Sequence, residues 1–120
     1  MAVIDTSASI TPKLLESISE ELSRLTGDFK VIVVECDVVI QRVYEFRRIE
    51  CVNGRGGTDL RPPFERSFLQ RHRPDLVVYF TDAFGPPPDR APPVPVIWCL
   101  VPGGEPPADW GRVIRMHTPD

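Results

Sequence analysis

Hydroxyl and carboxylate side chains recur at three separated places in the sequence, each of them a predicted loop. Asp5, Ser7 and Ser9 follow the first apolar run, Thr58 follows a pair of glycines, and Asp82 follows a later apolar run. Oxygen ligands without histidine or cysteine suit Mg²⁺, Mn²⁺ or Ca²⁺ better than zinc. If the fold brings them together, these five residues are candidate ligands of a hard divalent cation.

The residue types also indicate how such an ion would be held. In an octahedral shell, the hydroxyls of Ser7, Ser9 and Thr58 would donate oxygens directly, while Asp5 and Asp82 would supply negative charge directly or through water. One coordination position would stay open to an outside carboxylate, because Mg²⁺ keeps exchangeable waters. We therefore expect Mg²⁺ as cofactor, with Mn²⁺ or Ca²⁺ as substitutes, and a protein partner that offers an Asp or Glu carboxylate.

Apolar runs predict the strands that position these residues. The link through Asp37 is too short for a crossover helix, so the second and third strands should be antiparallel neighbours with the third at a sheet edge. The predicted strands cover residues 2–4, 30–36, 38–46, 76–81, 96–100 and 112–116.

Two helices are predicted between the strands. Thr11 followed by Pro12 is typical of a helix start, and Gly27 is placed to end that helix. A second helix is expected over residues 62–72, with Phe64, Phe68 and Leu69 on its buried side. Residues 86–95 contain six prolines, which predicts an extended, helix-free connection.

The alternation predicts an α/β fold: a Rossmann-like, mostly parallel central sheet with one antiparallel edge strand and helices on both faces. We expect one compact domain over residues 1–120, with a shortened second half in which helices are trimmed to loops. Ligands of open parallel sheets bind beyond the carboxyl ends of the strands. This topology should bring Asp5 and Asp82 together.

The three polar segments resemble those of a known family. Asp5-Thr6-Ser7-Ala8-Ser9 is similar to the D-x-S-x-S core of the metal-ion-dependent adhesion site in von Willebrand factor A (VWA) domains. Gly56-Gly57-Thr58-Asp59 resembles the second-loop threonine of that family, and Thr81-Asp82 resembles its third-loop aspartate. The resemblance implies a non-catalytic, metal-dependent protein–protein interaction module. Ala8 and Ala83 depart from it, since glycine is frequent at both places.

More narrowly, the stretches at 56–62 and 74–82 resemble the VWA-like C-terminal domain of predicted bacterial metal-dependent peptidases. That resemblance implies an adjoining peptidase-like domain or an associated ATPase as partner. The sequence has no H-E-x-x-H motif, and His72 and His117 stand alone. The first strand begins directly after Met1, which favours a domain cut from a longer polypeptide over a naturally short chain.

Two other functions compete with this interpretation. A metal-dependent phosphohydrolase of the haloacid dehalogenase type also ends its first strand on an aspartate. That chemistry wants a second carboxylate two residues later, where this chain has Ser7, and no lysine follows Lys30. The remaining alternative is a structural VWA-like domain that binds no metal.

Composition limits the other possibilities. The formal net charge of −3 argues against nucleic-acid binding, and no apolar run is long enough for a membrane span or a signal peptide. Three cysteines without a C-x-x-C pair favour a reducing, cytoplasmic setting. Among single residues, Asp37 is expected in a turn, Asp59 as a helix cap or a ligand, Trp98 in the core and Trp110 against a loop.

Overall fold

The computed structural model describes residues 1–7, 10–47, 49 and 57–117. Within them, the predicted strands are all found, with bounds shifted by up to two residues. The elements are β1 (Ala2–Asp5), α1 (Pro12–Leu25), β2 (Ile32–Cys36), β3 (Ile40–Glu45), a 3-10 turn (Pro62–Phe64), α2 (Arg66–His72), β4 (Val77–Thr81), β5 (Val96–Leu100) and β6 (Arg112–Arg115).

The strands form one sheet in the order β3-β2-β1-β4-β5-β6, with β1 near its centre. All neighbours are parallel except β2 and β3, which pair antiparallel and leave β3 at one edge. The predicted α/β class, the mostly parallel sheet and the antiparallel edge strand are therefore confirmed.

Helix α1 covers one face of the sheet. The Thr11 hydroxyl accepts a hydrogen bond from the Leu14 amide at 3.2 Å, which confirms the predicted cap. The helix ends at Leu25 with Thr26 as its C-cap, so Gly27 is the residue directly after the cap, as predicted, although its φ is not positive. The buried positions recur at helical spacing and face the sheet: Leu14, Leu15, Ile18 and Leu22.

The predicted continuous helix over residues 62–72 is wrong. The backbone is extended at Glu65, which separates the 3-10 turn from the short helix α2. Neither Pro62 nor Pro63 has an amide hydrogen to donate, and the break lets Phe64 reach the core while α2 itself buries no residue. Of the three apolar residues expected on the buried side, Phe64 is buried but Phe68 and Leu69 are only partly so.

Phe64 anchors an aromatic cluster on the face of the sheet opposite α1. Its ring centroid lies 5.9 Å from that of Tyr79, 5.8 Å from that of Trp98 and 6.2 Å from that of Trp110. Trp98 is fully buried, as predicted, and its indole N–H donates to the Trp110 carbonyl at 3.2 Å. Such offset and edge-on aromatic contacts add stabilisation beyond simple burial.

After β4, the connections between the strands contain no helix. Residues 82–95 between β4 and β5, and residues 101–111 between β5 and β6, contain turns and extended backbone only. The proline-rich segment is therefore free of helix, as predicted, and loops replace helices in the connections after β4. No helix in the described part of the chain is both long and apolar enough to span a bilayer.

Gly111 offers a test of this packing. It has a φ of +86°, and a Cβ there would lie 2.9 Å from the Trp98 indole nitrogen. We expect Gly111→Ala to lower the free energy of unfolding by about 2 kcal/mol, since positive φ and overpacking both cost energy. Gly27→Ala is the matched control, because a Cβ at Gly27 meets nothing within 4 Å. Urea denaturation of both variants would measure the difference, and equal stabilities would contradict the argument.

Candidate functional site

The sheet reverses its winding at β1. From β1 the chain adds β2 and β3 on one side, then returns to place β4 on the other. In open α/β sheets this switch point opens a crevice beyond the carboxyl ends of the strands, where ligands bind. Asp5 ends β1 and Asp82 directly follows β4, so both lie at this crevice, as the sequence predicted.

Asp5 is fully buried and held from both sides. Its Oδ1 accepts a hydrogen bond from the Ser7 amide at 2.9 Å. Its Oδ2 accepts one from the Thr81 hydroxyl at 2.6 Å, a contact that joins β1 to β4. Thr81 accepts in turn from the Ala83 amide at 2.9 Å. The carboxylate is therefore fixed in position before any ligand arrives.

The electrostatics of Asp5 are unfavourable to its charge. Burial raises the pKa of its carboxyl, hydrogen bonds from Thr81 and Ser7 lower it, and the neighbouring charge of Asp82 raises it further, for a net increase. None of the ion pairs between described residues involves Asp5 or Asp82. Two carboxylates thus lie at one crevice, and no cationic side chain in the described part of the chain is paired with either.

Asp82 is partly exposed, and its Oδ1 accepts a hydrogen bond from the Phe84 amide at 3.1 Å. Between these two residues, Ala83 adopts a φ of +68°. Left-handed backbone costs a residue with a Cβ about 1–2 kcal/mol. The departure from glycine noted at this position therefore carries a conformational cost, and the turn keeps its shape despite it.

Thr58 reaches the same edge through its backbone. A Cβ on Gly85 would lie 2.6 Å from the Thr58 carbonyl oxygen, so the loop after β4 packs directly against this residue. The Leu60 amide donates to the Pro86 carbonyl at 3.0 Å, and the Asp59 amide donates to the Asp37 carbonyl at 3.0 Å. These contacts hold the Thr58 segment between the ends of β2 and β4.

Asp59 forms an ion pair in the structure, and its role as a metal ligand stays a prediction. Its carboxylate forms a two-pronged ion pair with the Arg61 guanidinium, at 2.9 and 3.0 Å, and also accepts from the Arg61 amide. Asp59 is not the N-cap of the 3-10 turn. Arg61 is at the cap position, and no side chain makes a capping hydrogen bond there. The hydrogen bonds from Arg61 lower the pKa of Asp59. Asp37, as expected, lies in the turn after β2.

The structure thus brings four of the five predicted ligands, Asp5, Ser7, Thr58 and Asp82, to loops at one edge of the sheet. Ser9 and Ala8 lie outside the described residues, as do residues 51–56 of the glycine-rich loop. No group of three or more His, Cys, Asp or Glu side chains in the described ranges is arranged to hold a metal. The candidate site contains only two carboxylates, Asp5 and Asp82, and its other proposed ligands are hydroxyls, so it is not a group of that kind.

Sequence reasoning missed Thr81. The apolar run predicts it only as the last residue of a strand, whereas it is fully buried and donates a 2.6 Å hydrogen bond to Asp5. A signal was present: a buried strand that ends on Thr-Asp places the two side chains on opposite faces. The threonine then points under the crevice while the aspartate faces the opening.

A pH series tests the strain on Asp5. Its pKa is raised in the folded protein, so folding without metal is favoured by the protonated form and stability is lost as pH rises through the folded pKa. We expect Asp5→Asn to raise the free energy of unfolding at neutral pH. That gain should disappear below about pH 4, where the wild-type carboxyl is protonated in both states. Urea melts in EDTA across this range would show it, and a gain independent of pH would contradict the argument.

Ala83 provides a second test, of the backbone. Ala83→Gly loses a buried methyl group but relieves the positive φ, whereas Ala2→Gly in β1 loses a buried methyl group with no relief. We expect Ala83→Gly to be about 1 kcal/mol less destabilising than Ala2→Gly. Chemical denaturation at neutral pH measures both, and equal losses would show that the turn carries no strain.

Comparison with known proteins agrees with the fold. Residues 1–117 match the family described as VWA-like domain (DUF2201). No curated protein and no solved structure matches the chain significantly. VWA-like domains are generally non-catalytic modules for protein interaction or structure. Because the match spans nearly the whole sequence, this chain belongs to the VWA-like domain family.

Proposed function

We propose that this domain is a divalent-metal-dependent protein–protein interaction module. Asp5, Ser7, Ser9, Thr58 and Asp82 would hold Mg²⁺, with Mn²⁺ or Ca²⁺ as substitutes, and a carboxylate of the partner would complete the metal shell. The observation that carries the proposal is the pair Asp5 and Asp82, whose charges repel each other across the crevice. Among the described residues, no cationic side chain forms an ion pair with either of them. A bound divalent cation would relieve that repulsion.

Asp5 would act mainly by charge and by orientation. Both of its oxygens already accept hydrogen bonds, and its side chain is fully buried. It is therefore suited to hold a metal-bound water or to position the Ser7 backbone. Ligands of metal ions commonly depend on such supporting hydrogen bonds, which fix the orientation of the donor atoms.

Ser7, Thr58 and Asp82 are suited to direct contact with the ion. All three residues are only partly buried, in contrast to Asp5. Hydroxyl oxygens leave the complex less negative than carboxylates would, and an ion with only two carboxylates nearby remains attractive to a third. This charge balance supports an acidic partner residue rather than a basic or neutral one.

The partner we propose is a protein that presents an Asp or Glu side chain. An adjoining peptidase-like domain or an associated ATPase would be a source consistent with the narrower resemblance. A structural VWA-like domain without metal is the competing function, and metal binding separates the two.

Calorimetric titration of Mg²⁺ and Mn²⁺ into the wild type and into Asp5→Asn tests the proposal. We expect saturable binding by the wild type, weakened at least about tenfold in Asp5→Asn because the site loses one of its two charges. Asp5→Asn keeps the size of the side chain, so loss of folding does not explain a loss of metal. Thr58→Val and Asp82→Asn should weaken binding as well.

Asp28→Asn is the control, since Asp28 is exposed in the turn that follows α1, away from the loops that follow β1 and β4. It should bind metal as the wild type does. No binding by the wild type, or equal binding by the wild type and Asp5→Asn, would reject metal dependence and leave the structural function.

A further inference from the structure

Three exposed apolar side chains flank the candidate metal site: Val38, Val39 and Phe84, here called the apolar rim. Their side chains are 49%, 54% and 64% exposed, respectively. Val38 and Val39 form the turn after β2, and Phe84 lies in the loop after β4. The rim therefore borders the crevice from the two strands on either side of β1.

The rim is continuous with the Thr58 segment. On one side, a Cβ on Gly57 would lie 3.6 Å from Cγ1 of Val38. On the other side, the loop that carries Phe84 packs against the Thr58 backbone at Gly85. A ligand seated over Thr58 would thus meet apolar groups on both flanks.

The backbone of the rim is held by two acidic side chains, one of which, Asp82, is a candidate ligand. Asp37 accepts a hydrogen bond from the Val39 amide at 3.2 Å, and Asp82 accepts one from the Phe84 amide at 3.1 Å. Turns favour Gly, Asn, Asp, Ser and Pro rather than β-branched or aromatic residues. Two valines and a phenylalanine are therefore unusual residues for these turns.

The charges around the rim favour an acidic ligand with apolar neighbours. The negative charge of Asp59 is neutralised by Arg61, whose side chain is 59% exposed. What remains at the crevice is the proposed metal ion, which attracts a carboxylate, with apolar surface around it. A long acidic stretch would make no favourable contact with that apolar surface. A single carboxylate between apolar side chains would contact both the metal ion and the apolar surface.

We propose that this domain binds a protein segment in which one Asp or Glu is bracketed by apolar residues, with the carboxylate at the metal and the apolar side chains on Val38, Val39 and Phe84. This inference rests on the proposed metal-dependent function and adds the chemistry of the partner to it.

A displayed library of random peptides with one fixed central glutamate tests the inference. The peptide library is passed over the immobilised wild-type domain in Mn²⁺, and the retained peptides are eluted with EDTA. We expect the recovered peptides to be enriched in apolar residues next to the glutamate. The triple variant Val38→Ser, Val39→Ser and Phe84→Ser should lose this preference and retain such peptides about tenfold less, because the apolar contacts are gone.

Phe29→Ser is the matched control. Phe29 is 63% exposed but lies before β2, at the opposite edge of the sheet. It should keep the wild-type preference. Calorimetric Mn²⁺ titration of all three proteins should give equal affinities, which separates loss of the rim from loss of the metal site.

Several outcomes would overturn the inference. Glutamate-dependent recovery without apolar neighbours, or an unchanged preference in the triple variant, would reject the rim while leaving the metal-dependent function intact. Metal binding without recovery of any peptide would reject it in the same way. Failure of the wild type to bind Mn²⁺ would reject both proposals. A metal-dependent dimer that the triple variant abolishes would identify a second copy as occupant instead.

Discussion

The hydrogen bond from the Thr81 hydroxyl to Asp5 links the two central strands at the point where the chain reverses direction across the sheet. It spans 76 residues of sequence, and its partners are both fully buried. The same Thr81 hydroxyl also accepts a hydrogen bond from the Ala83 amide, and this second bond holds the turn that carries Asp82. The geometry of the crevice depends on this one hydroxyl, because it positions one carboxylate directly and the other through the turn.

The arrangement has an energetic cost that the folded domain accepts. A buried carboxylate whose pKa is raised, and an alanine held at positive φ, both oppose folding. Costs of this kind concentrate at functional sites, where activity requires a geometry that stability alone would not select. The two cores on either side of the sheet supply the compensating stabilisation: one lies under α1, and the other surrounds Phe64 and Trp98.

Much of the fold could be predicted because its signals are local. Strand bounds followed from apolar runs, and the start of α1 from Thr11 and Pro12. The helix over residues 62–72 was less predictable, because the break at Glu65 accompanies the burial of Phe64 in the core. That outcome depends on tertiary packing, which a pattern of residue types does not contain.

In the candidate site, too, some features could be predicted from the sequence and others depend on tertiary packing. Strand ends and topology predict that Asp5 and Asp82 lie at one edge of the sheet, and the structure confirms it. The role of Thr81 and the ion pair between Asp59 and Arg61 depend on side-chain geometry that spacing does not determine. Ser9 stays a prediction, since it lies outside the described residues.

Cys36 gives this edge of the sheet a built-in reporter. In the strand register it lies beside Asp5, and burial raises the pKa of its thiol to about 12. Only the thiolate reacts readily with alkylating reagents, so labelling should require a local opening of β2 from its surroundings. The alkylation rate of Cys36 would then measure how often this edge of the sheet opens locally. Buried Cys99, on the other face of the sheet, is the internal reference.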